Sequence, residues 1–161
     1  MNEIKSLLLY SSLSKGNTSK IAQVIARELK SDLMRTADFS ITSFNKYNLI
    51  GFGSGIYKGR PHSKLIELID RLPDIVMGKY AFIFCTSRSC KNSYLTDFEK
   101  ILALKGFIVL GSFQTKGFYT NSVLNLFGGI NKGRPSSYDY MDASDFAKSV
   151  KEAYLAKIKE S

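Results

Sequence analysis

The 161-residue chain suits one domain, and with 44% hydrophobic and 23% charged residues it has the balance of a globular protein rather than a disordered or fibrous one. No apolar run reaches the roughly 18 residues that span a bilayer, and the opening Met-Asn-Glu-Ile-Lys lacks the layout of a signal peptide, so a cytoplasmic protein with no membrane span is expected. The net charge of +9 directs attention to anionic ligands and partners, yet no nucleic-acid motif accompanies it, and a generally basic surface explains it equally.

Residues 4–10 read as a buried strand, and 18–30 as an amphipathic helix with Ile21, Ala22, Val24, Ile25 and Leu29 on its apolar stripe. Residues 32–35 form a short second strand. The stretch 36–44, where a crossover helix belongs, has a poor pattern. A third strand covers 49–53. A helix over 62–72 has Pro61 at its start, Pro73 just past its end, and Leu65, Ile66, Leu68 and Ile69 facing the core. A fourth strand at 80–85 leads to a helix at 93–104, with Leu95, Phe98, Ile101 and Leu102 inward and Gly106 as its stop. After a fifth strand at 107–110, Asp142 is expected to cap a last helix with Ala143, Phe146, Ala147, Val150 and Tyr154 on one stripe.

Alternating strands and helices imply an α/β protein whose parallel sheet is covered on both faces. Right-handed crossovers make it doubly wound, with ligands at the carboxyl ends of the strands. The turn between the first strand and helix is the most informative. Ser11, Ser12, Ser14 and Thr18 supply hydroxyls, Asn17 an amide and Gly16 a flexible backbone beside a helix N-terminus. Free N–H groups and the helix dipole favour a phosphate there. The turn has neither the G-K-[ST] of a P-loop nor G-x-G-x-x-G, and a ligand-free N-cap turn remains the plainer alternative.

The next loop, Gly53-Ser54-Gly55-Ile56-Tyr57-Lys58-Gly59-Arg60, offers three glycines for close approach to a planar ligand, and Tyr57 as a stacking ring or a plain surface residue. The third, Thr86-Ser87-Arg88-Ser89-Cys90-Lys91-Asn92, adds hydroxyls, amides and a guanidinium; a fourth spans 113–120. Cys85 and Cys90 form a C-x4-C pair that is neither a metal nor a redox motif. Free thiols of a reducing compartment are expected, with a thiol beside a cofactor as the sharper alternative.

Taken together, Gly16-Asn17-Thr18, Gly53-Ser54-Gly55-Ile56-Tyr57 and the Thr86-Ser87 turn resemble a flavodoxin-family protein over nearly the whole chain. Gly111-Ser112-Phe113, Gly117-Phe118-Tyr119-Thr120 and the run from Gly128 to Pro135 resemble one branch of that family. The resemblance implies a flavodoxin-like sheet of five parallel strands in the order 2-1-3-4-5, non-covalent FMN and electron transfer between partners. By motif position it puts the FMN phosphate on Ser12, Ser14, Gly16, Asn17 and Thr18, and the isoalloxazine between Ser54, Gly55, Ile56, Tyr57 and Thr86, Ser87, Arg88, Ser89.

The chain departs from the family in three ways. Lys15, Lys58, Arg60, Arg88, Lys91, Lys116, Lys132 and Arg134 fall on or beside the ligand loops, where flavodoxins are typically acidic. A positive rim favours an acidic redox partner, or an anionic substrate such as NADPH or a carboxylate. Tyr57 is the one aromatic expected at the ring, which would leave one flavin face open, as an FMN-dependent oxidoreductase with its own substrate requires. Arg88 replaces a small residue, and a cation near the pyrimidine end would raise the flavin's potential. The stretch from Ile56 to His62 also looks somewhat like flavodoxin-like protoporphyrinogen oxidases. His62 reads as a first-turn surface residue. Tyr119, Val123, Leu124, Leu126, Phe127 and Ile130 make 119–130 apolar for a loop, and a homodimer contact is expected if it is exposed. A signalling receiver domain shares the strand order but needs carboxylates at the ends of the first and third strands, where this chain has Tyr10-Ser11-Ser12 and Gly53-Ser54.

Overall fold

In the computed structural model, residues 4–13, 16–73, 76, 78–120 and 124–161 are described. In chain order they form β1 (Ser6–Ser11), α1 (Asn17–Leu29), β2 (Asp32–Arg35), β3 (Leu49–Tyr57), β4 (Arg60–Pro61), α2 (Ser63–Arg71), β5 (Tyr80–Ser87), α3 (Asn92–Lys105), β6 (Ile108–Lys116) and α4 (Ser137–Glu160). Five strands run parallel in the order β2-β1-β3-β5-β6, and the two-residue β4 folds back antiparallel on β3. Counting the parallel strands alone, this is the expected 2-1-3-4-5 order; β4 is the addition.

Successive side chains on a strand face opposite ways, and β1 divides the core accordingly. Leu7 and Leu9 join Ile50, Phe52 and Ile83 beneath α2 and α3. Leu8 joins Phe82 and Phe84 beneath α1 and α4. On that second face β3 carries Gly51 and Gly53. A Cβ on Gly53 would lie 1.9 Å from the Phe84 ring, and one on Gly51 would lie 2.2 Å from Leu8 and 2.3 Å from Phe82. The aromatic rings of β5 thus fill the space that the missing side chains of β3 leave, a close approach that a glycine inside a strand permits.

Three strands outrun the sequence expectation. β3 continues from 53 to Tyr57, β5 from 85 to Ser87, and β6 from 110 to Lys116. The hydrophobic pattern stops at Ser54, Thr86 and Gly111, yet Ser54, Thr86 and Thr115 are buried, with hydroxyls satisfied by hydrogen bonds, so the strands carry on through polar residues. Residues 53–60 are therefore a hairpin rather than an open loop. Its two turn residues, Lys58 (φ 50°) and Gly59 (φ 80°), both have the positive φ that suits a tight two-residue connection.

The last helix begins earlier than expected. Ser136, not Asp142, stands at its N-terminus, and the Asp139 carboxylate accepts from the Ser136 N–H at 2.6 Å in a capping box. In the weakly patterned stretch, two 3-10 segments, Thr36–Asp38 and Ile41–Lys46, replace a crossover helix. They hold through burial of Phe39, Phe44 and Tyr47 rather than through a helical stripe. Among the described residues no helix is long and apolar enough to cross a membrane.

Candidate functional site

The carboxyl ends of the parallel strands open onto a cleft of about 350 Å³, beside the N-terminus of α1. At that N-terminus Gly16 takes φ +65° and contributes no side-chain cap, and the first turn holds no acidic residue. Its orphan N–H groups and dipole are therefore open to an anion. The Ser12 Oγ is buried without a hydrogen-bond partner among the described residues, as is the Asn17 Oδ1. An orphaned buried hydroxyl costs free energy until something bonds to it.

Three tethers hold the cleft together. The Thr18 and Thr86 hydroxyls meet at 2.8 Å, tying α1 to the end of β5. The Asn17 Nδ2 donates to the Phe118 carbonyl at 2.8 Å. The Leu13 N–H donates to the Tyr57 Oη at 3.2 Å, tying the β1–α1 turn to the hairpin. Burial pushes the Tyr57 phenol pKa up, and the Leu13 N–H opposes that shift. The Tyr57 ring meets His62 edge to face, with centroids 5.5 Å apart.

Among the expected site residues, Asn17, Thr18, Gly55, Ile56, Tyr57, Thr86, Ser87, Arg88 and Ser89 line the cleft. Ser12 and Gly16 stand at its α1 end without lining it, and Ser14 lies outside the described residues. Ser54 is fully buried away from the lining. Its hydroxyl accepts from the His62 N–H at 2.8 Å and donates to the Gly55 carbonyl at 2.6 Å, which locks the base of the hairpin. His62 serves as the N-cap of α2, its Nδ1 accepting from the Lys64 N–H at 3.2 Å. The Ser87 hydroxyl accepts from the Cys90 N–H at 2.9 Å and shapes the turn before α3.

Tyr94 and Tyr119 also line the cleft, as do Phe118, Gly117, Lys58 and Lys91. Tyr57 is therefore not the only aromatic in reach. From sequence Tyr94 is set aside as already in the helix, but its place in the first turn of α3, at the mouth of a strand-end loop, brings it to the cleft. Both cysteines are free. Burial, with a smaller contribution from Cys90, pushes the Cys85 thiol up to about 12, which suits a core residue rather than a nucleophile. Among the described residues no group of His, Cys, Asp and Glu could hold a metal. The arrangement suits a planar aromatic ligand with an anion at one end.

The flavodoxin domain model matches residues 7–117. An uncharacterized protein of Methanocaldococcus jannaschii is 40% identical over 149 residues, covering 91% of this chain and 98% of that one. Among solved structures, rubredoxin oxygen:oxidoreductase of Desulfovibrio gigas matches with a TM-score of 0.73 at 15% identity, over 96% of this chain; this chain spans 37% of that one. Oxidised flavodoxin 2 of Bacillus cereus matches with a TM-score of 0.68 at 20% identity, over 92% of this chain and 98% of that one. An NADH:FMN oxidoreductase in its apo form matches with a TM-score of 0.66 at 15% identity, over 95% and 89%. At these identities the structural likeness is one of fold.

Proposed function

The chain belongs to the flavodoxin family, and on that premise we propose that it binds FMN non-covalently in the strand-end cleft and carries electrons between redox partners. The observation that supports this best is the orphaned Ser12 hydroxyl beside the open N-terminus of α1. A phosphate there would accept from Ser12 and from the first-turn N–H groups. The three tyrosines of the cleft and the glycine at position 55 suit a flat ring system. The residues present thus fit both ends of FMN.

When bound, FMN supplies one- and two-electron chemistry. The chain's own residues bind, orient and tune. Ser12, Gly16, Asn17 and Thr18 fix the phosphate end; Gly55, Ile56 and Tyr57 on one side and Thr86, Ser87, Arg88 and Ser89 on the other flank the ring. Ser54 positions the hairpin from behind. Arg88 brings a cation to the cleft wall, which stabilises negative charge on a reduced ligand. An oxidoreductase with its own substrate, taking NADPH, a quinone or a porphyrinogen, is the competing assignment. It calls for an exposed ring face with Tyr57 alone, and Tyr94 and Tyr119 beside the cleft favour the carrier.

The visible absorption spectrum of the freshly purified protein tests the assignment. Two flavin bands, retained through gel filtration and released as FMN on denaturation, are expected. A colourless protein that takes up no added FMN would overturn it. Substrate-driven reduction of the flavin at a catalytic rate by NADPH would transfer the assignment to the oxidoreductase.

A further inference from the structure

Three loops bring cations to the rim of the cleft. Lys58 in the β3–β4 turn and Arg88 and Lys91 on the β5–α3 loop line it; Lys116 ends β6 next to the lining Gly117, and Lys132 follows Asn131, which bonds to the Arg88 and Gly117 carbonyls. All five are exposed, and none pairs with a carboxylate among the described residues. Among the described residues no acidic one lines the cleft. The nearby Asp139 is buried and already engaged by Thr115 at 2.6 Å, by Arg134 at 2.5 Å and by Ser136. Glu67 and Asp97 stand with Arg60 and Lys100 in a separate groove beyond Gly59.

Two of these loops are tied together through their backbones. The Asn131 Nδ2 donates to the Arg88 carbonyl at 3.0 Å and to the Gly117 carbonyl at 3.2 Å, joining the loops that carry Arg88, Lys116 and Lys132. The excursion that leaves the cleft at Tyr119 is closed by paired backbone bonds with Ile130, at 2.9 and 2.6 Å. It presents Leu126 and Phe127, 82% and 80% exposed. An exposed apolar pair on the segment that leaves the cleft, together with cations that no carboxylate pairs among the described residues, has the composition of a hetero-interface.

We infer that this rim is the docking face for an acidic redox protein, the reverse of the charge pairing expected of flavodoxins. The redox character of the partner rests on the proposed FMN function; the docking itself does not. A second copy of this chain is disfavoured as the occupant, because an isologous contact through this face sets lysine against lysine. Duplex nucleic acid answers the charge, but its stacked bases offer no counterpart to the exposed Leu126 and Phe127, and the sequence carries no nucleic-acid motif.

The test uses an acidic [2Fe–2S] ferredoxin as probe, titrated calorimetrically into FMN-free and FMN-loaded full-length protein. Both forms should bind at about 20 mM salt and weaken at least roughly tenfold by about 300 mM, as screening of exposed charge requires. The K91E/K116E/K132E variant should lose roughly tenfold or more at low salt. The K20E/K151E/K159E variant, with the same change in net charge on α1 and α4, should lose no more than about twofold; melting curves verify that both variants fold. Equal losses in the two variants, or no ferredoxin binding at low salt, would overturn the assignment. So would tighter binding of a short DNA duplex through the same lysines, or self-association that the first variant abolishes. Binding by FMN-free protein that never takes up FMN would leave the docking face standing and remove the flavin function instead.

Discussion

Ser12 concentrates the phosphate question in one atom. Its hydroxyl is buried and unpartnered among the described residues, and a hydrogen bond to a charged group contributes about 1.5–3 kcal/mol. The Ser12→Ala protein should therefore bind FMN roughly tenfold or more weakly, while its affinity for riboflavin, which has no phosphate, stays unchanged. Fluorescence titration with both ligands separates the two; an equal loss for both would show that Ser12 acts on the ring or the fold. Asp139 ties the end of β6 at Thr115 to Arg134 and the start of α4. Desolvation acts to raise its pKa, but hydrogen bonds from Thr115 and Ser136 and the Arg134 guanidinium outweigh it, so the net direction is down. A folded-state pKa below the unfolded value contributes stability above the unfolded value of about 4, lost as pH falls through the folded value. Asp139→Asn should cost about 2 kcal/mol at neutral pH, and the gap to the wild-type protein should close below about pH 4 in urea melts. A pH-independent gap would contradict this origin. That Asn17, Thr18 and Tyr57 come to the strand-end cleft is legible in the sequence, because each stands at the end of a strand or opens the helix after one. The approach of Tyr94 to the cleft and the internal role of Ser54 are not, because each depends on where an element ends.

At the scale of elements, the order of strands and helices follows from apolar periodicity, and the ends do not. β3, β5 and β6 extend through Ser54, Thr86 and Thr115, whose hydroxyls find partners on neighbouring elements. A linear pattern does not contain those partners. The same holds for α4, where Asp142 resembles a cap but the capping box of Ser136 and Asp139 starts the helix six residues earlier. Gly53 has a meaning visible only across the sheet. Its Cα lies under the Phe84 ring, so Gly53→Ala forces the ring or the strand to move. Overpacking of this kind costs about 1–3 kcal/mol, and chemical denaturation should show it with the fold retained. Gly16→Ala, by contrast, meets open space and only a left-handed φ, and should cost about 1 kcal/mol. A Gly53→Ala protein as stable as wild type would mean that the ring does not occupy the glycine's space.

Across the whole molecule, a parallel sheet with separate cores above and below needs no ligand to explain its packing, whereas the cleft at its carboxyl edge leaves polar groups unsatisfied. The excess of positive charge is visible in the composition, but its placement around the cleft is a property of loops brought together by the sheet order. The central claim is that the cleft holds one FMN per chain by its phosphate and its ring together. Titration of the FMN-free protein with FMN, followed by quenching of flavin fluorescence, measures it most directly. Saturation at one FMN per chain, with riboflavin bound at least about tenfold more weakly for want of the charged hydrogen bonds, is the expected result. Absence of quenching, or equal affinity for FMN and riboflavin, would contradict it.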